Sequence, residues 1–439
     1  MNICMMSNTF TPHVGGVARS VESFTRAYRE LGHQVLVVAP VFADMPKHED
    51  NVIRVPAIQH YSGSDFSIRL SIPGFLKNAL DNFRPHLIHS HHPFLLGGTA
   101  LCEAAARRIP LIFTHHTMYE QYTHYVPGDS PPIRAFAIEL ATGYANLCDR
   151  VIAPSESVAG ILQSRGVTTP IAAIPTGVDV GRFKAGDGAS FRAKMGISRD
   201  AFIVGHVGRL APEKNLNFLA AAVSAFMERT PRAHFLIIGS GPSETELRTC
   251  FQNAGLASRT HFAGSRDGTE LIDAYHAMDI FAFASKSETQ GMVLAEAMAT
   301  GVPVIGLDAP GVREVIRDGE NGRLIQGDDR NSFTQALEWF ENLDPAMREN
   351  LSNSAWETAQ AFSLKTTAAR ALSLYESILS ASGPPPGANE DSSWSKSIRM
   401  LGAEWEVWAN VAHAANIALA TPFHESPSSR IEIFRSGTK

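Results

Sequence analysis

Short unbroken apolar runs alternate along this chain with longer stretches whose apolar positions recur every three or four residues. In the first 175 residues the runs are NICMMS, QVLVVAP, HLIHS, LIFTHH, RVIAPS and IAAIP. A strand covered on both faces needs apolar side chains at odd and even positions alike, so such runs predict buried parallel strands. Residues 17–31 and 98–108 carry helical spacing between them. The alternation predicts an α/β fold built on a doubly wound sheet.

The pattern restarts after IPTGVDVGRF, residues 174–183, a segment rich in turn formers. FIVGHVG, HFLIIGSG, THFAG, DIFAFAS and PVIGL predict a second set of strands, with helices over 217–229, 244–254, 270–278 and 292–299. Two Rossmann-like domains follow, one over 1–178 and one over 179–362, with residues 363–382 expected to return as a helix that completes the first. Ligands of such sheets sit beyond the carboxyl ends of the strands, which predicts a cleft between the domains. GPPPGANEDSS, residues 383–393, is a linker by composition. Beyond it Trp394, Ile398, Leu401, Trp405, Trp408, Val411, Ala415 and Leu419 recur at three- and four-residue steps. Residues 394–439 therefore form an amphipathic extension, suited to lying on a membrane or packing onto the body of the protein.

Composition excludes more than it selects. At roughly 100–200 residues per domain, 439 residues accommodate two or three domains. A net charge of −6 lacks the basic excess of a nucleic-acid binder. Cys4, Cys102, Cys148 and Cys250 show no metal or redox spacing, which predicts a reduced, cytoplasmic protein. The first residues have no signal-peptide pattern, and no apolar run reaches the length of a membrane span.

Four segments carry candidate chemistry. In SETQGMVLAEAMA, residues 287–299, Glu288 follows a strand and Glu296 lies inside the next helix. The backbone amides of Gly291, Met292 and Val293 at that helix start suit a phosphate, and the flanking carboxylates suit sugar hydroxyls. In GHVGRLAPEKN a strand ends at Gly208 and presents Arg209 and Lys214, two cations able to straddle a diphosphate. Gly15 and Gly16, between a strand and a helix, allow backbone to approach a ligand; the spacing is not that of a dinucleotide fingerprint. In FTHHTMYEQYTHYV a strand delivers His115 and His116, and Tyr119, Tyr122, His124 and Tyr125 follow. Rings bearing hydroxyls suit a sugar or an amphipathic acceptor. His89, His91 and His92 cluster after another strand, but no carboxylate or cysteine spacing accompanies them as in a metal site. The chain has no Asp-x-Asp pair, the usual cue for a divalent ion on a sugar diphosphate.

Together these segments resemble the retaining glycosyltransferases of family 4, which have the GT-B fold. The resemblance spans about residues 1 to 380. SETQGMVLAEAMATGVPVI is similar to that family's Glu-x7-Glu signature, GRLAPEKN to its diphosphate-binding segment and IPTGVDVGRF to its interdomain segment. The resemblance implies that Glu288 binds hydroxyls of the donor hexose and Glu296 the ribose. It implies that Arg209 and Lys214 neutralise the diphosphate in place of a metal, with the backbone of Gly16, Gly291, Met292 and Val293 nearby. His116 is implied to contact the donor sugar. Gly15 and Gly208 join the donor site, and His92, Tyr119, Tyr122 and Tyr125 the acceptor site. Within the family, HTMYEQYTHYV and SETQGMV look most like the diacylglycerol glucosyltransferases, implying a nucleoside-diphosphate sugar, a UDP-sugar first, as co-substrate and no cofactor. A lipid acceptor would place the protein at the inner face of the cell membrane; a soluble sugar or polysaccharide is the alternative acceptor. A non-catalytic nucleotide-sugar-binding protein, and an epimerase or phosphorylase of the same fold, share this pattern of elements.

Overall fold

The computed structural model describes residues 1–13, 15–42, 44–58, 68–69, 76–123, 129–382 and 393–422. The first sheet has seven strands: β1 (Asn2–Met6), β2 (Gln34–Pro40), β3 (Val52–Val55), β4 (Leu87–Ser90), β5 (Leu111–Thr114), β6 (Arg150–Ala153) and β7 (Ile171–Ala173), in spatial order β3-β2-β1-β4-β5-β6-β7. The second has six: β8 (Phe202–Val207), β9 (Ala233–Ile238), β10 (Thr260–Gly264), β11 (Ile280–Phe283), β12 (Val304–Leu307) and β13 (Gly322–Ile325), in order β10-β9-β8-β11-β12-β13. Every pairing within both sheets is parallel. Each sheet grows outward from its first strand and then reverses across it. The reversal opens a crevice at the carboxyl ends of β1 and β4, and another at those of β8 and β11.

Helices cover both faces of each sheet. Ile3 and Met5 pack with Val21, Phe24 and Tyr28 of α1 (Gly16–Glu30), while Cys4 and Met6 pack with Leu96 and Ala100 of α2 (Leu96–Arg107). Successive strand residues point to opposite faces, so this two-sided burial is the physical content of the unbroken NICMMS run. Tyr144 and Ala145 of α3 (Pro131–Asn146) join the Cys4 side. On the second sheet, Leu294, Ala295, Ala297 and Met298 of α4 (Met292–Ala299) pack with Phe281 and Phe283. The apolar pattern did not announce β3 and β13. Both are sheet edges with half-buried residues, and VIRV and GRLI each contain an arginine.

The chain passes between the two sheets twice, side by side. The Val178 N–H donates to the Phe362 carbonyl and the Leu364 N–H to the Val178 carbonyl, each at 2.8 Å. A Cβ on Gly177 would lie 2.2 Å from Leu364 Cα, so only glycine permits this approach. Helix α5 (Leu364–Ser382) then lies against α1. Its Ala368, Leu372, Tyr375 and Ile378 share a core with Val21, Phe24 and Tyr28, and the Tyr28 and Tyr375 hydroxyls are 3.1 Å apart.

Helix α6 (Ser393–Ala420) runs along α2 and α3. Arg399 donates to the carbonyls of Ala105 and Ala106 at 3.1 and 2.9 Å, capping the last turn of α2. Asn410 Nδ2 donates to the Leu140 carbonyl at 3.0 Å. Ala403 and Ala414 on the inner face of α6 are buried, whereas Leu401, Trp405, Trp408 and Leu419 are 65%, 73%, 69% and 85% exposed. Among the described residues no helix is long and apolar enough to cross a membrane.

Candidate active site

The segments carrying candidate chemistry lie at or beyond the carboxyl ends of β1, β4, β5, β8 and β11. After β8 the chain runs through Gly208 and the exposed Arg209 to a short turn, Pro212–Lys214. Gly239 presses on the start of this loop, where a Cβ would stand 1.9 Å from the Gly208 carbonyl oxygen. The Lys214 ammonium pairs with the Glu288 carboxylate, and both side chains are less than a fifth exposed. Burial by itself lowers the Lys214 pKa. Glu288, and then Tyr122 and Glu213, more than offset it and hold the ammonium above its ordinary value. The Ser287 hydroxyl donates to the Glu213 carbonyl at 3.1 Å, fastening the Glu288 loop to the Lys214 turn.

Gly291, at φ +68, turns this loop into α4, which has no side-chain cap and no acidic residue in its first turn. The amides of Gly291, Met292 and Val293 therefore open the helix at its positive end. One turn further, Glu296 is buried. The Tyr275 hydroxyl donates to its Oε2 at 2.8 Å, and Arg19 Nη1 of α1 stands 3.7 Å from its Oε1. Burial raises the Glu296 carboxyl above its ordinary pKa, opposed by Arg19 and Tyr275.

On the other side, Gly15 is extended and Gly16 starts α1, again with no side-chain cap. A Cβ on Gly16 would meet nothing within 4 Å. His92 Nδ1 accepts from the Asn8 N–H at 3.1 Å. His116 Nε2 and His91 Nδ1 are 2.9 Å apart. The His89 ring is occupied on both nitrogens, by Thr114 Oγ1 at 2.7 Å and by the Tyr375 hydroxyl at 2.7 Å. Burial pushes His89, His92, His115 and His116 down to about 3 and lowers His91 as well, so these rings are neutral at ordinary pH. Among the described residues no group of three His, Cys, Asp or Glu converges as it would on a metal ion.

Two loops meet across the cleft. The Thr289 hydroxyl donates to the His116 carbonyl at 2.8 Å. Gln290 pairs with both backbone groups of Thr176, accepting from its N–H at 2.6 Å and donating to its carbonyl. Tyr122 comes within the influence of Lys214 and Glu288 and hydrogen-bonds to Ser287; burial raises its phenol above the ordinary value. Lys214, Glu288 and Tyr122 thus form one group, and Glu296 with Arg19 a second. Tyr119 is placed differently: its ring packs edge-on against Phe94 and His115, and its hydroxyl is enclosed. Tyr125 lies outside the described residues. Arg19, Tyr275, Gln290 and Thr289 did not emerge from the sequence. Arg19 stands one turn beyond Gly16, and Thr289 and Gln290 lie inside the glutamate signature, so position relative to those motifs was the available signal.

Two doubly wound domains that hold cations, two uncapped helix starts and paired carboxylates against one cleft define a GT-B glycosyltransferase. The chain belongs to glycosyltransferase family 4. The model "Glycosyltransferase Family 4" matches residues 14–182, and "Glycosyl transferases group 1" matches residues 188–358. The alpha-monoglucosyldiacylglycerol synthase of Streptococcus pneumoniae is 30% identical over 75% of this chain and 76% of its own length. The GDP-mannose-dependent alpha-mannosyltransferase of Corynebacterium glutamicum is 30% identical over 81% of this chain and 84% of its own. Among solved structures, Anabaena HepE in complex with UDP superposes with a TM-score of 0.69 at 21% identity, covering 86% of this chain and 100% of that one. The chain is an enzyme that transfers sugars.

Proposed function

We propose that this enzyme moves a hexose from a UDP-sugar to a membrane lipid of the diacylglycerol type, with retention at the anomeric carbon. The observation carrying this reading is the meeting of Lys214 and Glu288 with Tyr122 at the mouth of the cleft. The ammonium and the carboxylate neutralise each other. A nucleoside-diphosphate sugar offers a better partner to each: its phosphates to Lys214, its hexose hydroxyls to Glu288. Arg209 and the amides of Gly16, Gly291, Met292 and Val293 add to the positive field. Gly15 and Gly208 keep the backbone close, and Glu296 takes the ribose. As the glycosidic bond breaks, charge grows on the leaving diphosphate. These preorganised cations and dipoles stabilise it in a cleft of low dielectric, doing the work of a metal. The anomeric carbon becomes oxocarbenium-like, and the acceptor hydroxyl adds on the face the diphosphate leaves, giving its proton to a leaving phosphate oxygen. On this reading His92, Tyr122 and Tyr125 serve the acceptor, and Tyr119, its ring packed on Phe94 and His115, supports them from inside.

A lipid acceptor is favoured by HTMYEQYTHYV and by α6. The outward face of α6 carries Ile398, Leu401, Trp405, Trp408 and Leu419 exposed, with Arg399 turned inward to cap α2. An apolar stripe bearing two tryptophans, flanked by the exposed Glu404 and Glu406, fits the headgroup–acyl boundary of a bilayer. Binding should therefore occur on phosphatidylcholine vesicles and change little with salt. Leu401→Ser/Trp405→Ser/Trp408→Ser should abolish co-sedimentation while transfer to a detergent-dispersed acceptor persists; unchanged co-sedimentation overturns the contact.

The reaction itself is tested with labelled UDP- and GDP-sugars offered to extracted lipids and to soluble sugars, followed by NMR of the product anomer. The expected result is an α-hexosyl lipid from an α-linked UDP-sugar. A β product, or transfer confined to soluble acceptors, overturns the corresponding part.

A further inference from the structure

His91 is wholly buried, makes no part of the cleft wall described above, and yet holds His116 by a ring-to-ring hydrogen bond of 2.9 Å. Its place is fixed from three sides. Its N–H donates to the Met6 carbonyl at 3.0 Å, the His89 ring lies 4.2 Å away, and the His116 ring stacks on it at 5.2 Å.

A neutral imidazole carries one proton, and the partner of each nitrogen decides where it sits. Nε2 of His91 is buried with no partner among the described residues. A proton there would be an orphaned buried donor, which is rarer and costlier than a bare acceptor. The proton therefore sits on His91 Nδ1 and is donated to His116 Nε2. His206 shows the same resolution elsewhere in the molecule. Its Nδ1 stands 3.1 Å from the Ala282 carbonyl, so Nδ1 must be the donor, and its buried Nε2 is left bare. With Nε2 of His116 occupied as an acceptor, the His116 proton is confined to Nδ1. That nitrogen has no hydrogen-bond partner among the described residues, and His116, unlike His115, is only half-buried.

We infer that His91 is a positioning residue that locks His116 in the Nδ1–H tautomer, so that His116 meets the donor hexose as a neutral hydrogen-bond donor and not as a base. This rests on the reading above that His116 contacts the donor. A ring that could turn over its tautomer would present a lone pair to a sugar hydroxyl half the time. The fixed tautomer keeps one N–H aimed at an oxygen throughout the reaction.

The test combines nitrogen-15 NMR of the histidine rings with steady-state kinetics. In the wild type, the His116 signals should report a protonated Nδ1. In His91→Asn the amide nitrogen stands close to where Nδ1 stood, so tautomer and kcat should be largely retained. In His91→Leu the tautomer should shift or mix, and kcat should fall by about 10- to 100-fold, with the acceptor KM unchanged. Should the leucine variant not fold, His91→Gln, whose amide reaches the Nε2 end instead, takes its place with the same expectation. Retention of the Nδ1–H signal and of kcat in His91→Leu or His91→Gln overturns the inference. His116→Ala separates the two readings: wild-type turnover there removes the donor contact itself, whatever His91 does.

Discussion

Lys214 and Glu288 each have a task only when the other is drawn away by substrate. Replacing either by alanine removes one charge from the transition-state field and leaves its partner unpaired in a mostly buried place. Transfer should fall by about 100- to 1000-fold in each single variant, measured as kcat/KM for the donor. The double variant should fall by much less than the product of the two, because the residues are coupled; full multiplicativity would mean that they act separately. Glu288, Lys214 and Tyr122 were legible in the sequence because each sits at a strand end within a recognisable spacing. Arg19 and Gln290 were not. Their partners, Glu296 and Thr176, are 277 and 114 residues away, and nothing local to either side chain encodes the docking of one domain on the other.

Among the elements, the buried strands were readable from their apolar runs, and the edges β3 and β13 were not, since half-exposed strands carry mixed residues. The paired crossing at Val178 and Leu364 depends on Gly177. Gly177→Ala would drive a Cβ into Leu364 backbone, which cannot yield as a side-chain tip can. A cost of about 1–3 kcal/mol is expected, seen as a lower midpoint in thermal unfolding. Gly160→Ala is the matched control. Gly160 lies within the helix Glu156–Ser164, where a Cβ would meet nothing within 4 Å, and the change should stabilise by about 0.5–1 kcal/mol. Equal effects of the two substitutions would deny the crossing its steric basis.

For the whole molecule, buried neutral histidines set the response to acid. His89, His92, His115 and His116 are held down to about 3 and His206 to about 4 by burial, and His91 is lowered too. In the unfolded chain each ring takes up a proton near its ordinary value of about 6.5. Between that pH and the folded values the unfolded state binds more protons. Stability is therefore complete above about pH 6.5 and is lost as the pH falls, by on the order of 1.4 kcal/mol per pH unit for each fully displaced ring. Urea midpoints at pH 7.5, 6 and 5 should drop steeply across the series; a flat profile contradicts neutral burial. Because burial keeps the His116 ring unprotonated through this window, the pH dependence of kcat on a stable sample should show no step from His116 between pH 5 and 8.

The return of α5 onto α1 has a consequence in time. Val21, Phe24 and Tyr28 are synthesised some 340 residues ahead of the side chains that cover them, Ala368, Leu372, Tyr375 and Ile378. Synthesis proceeds at about 5–20 residues per second. One flank of the nascent N-terminal sheet thus stays uncovered for roughly 17–70 s at that pace, while the second sheet can close on its own. The earlier of the two sheets is covered after the later one, and a chain halted near residue 362 would emerge with that flank bare and open to chaperones or to aggregation.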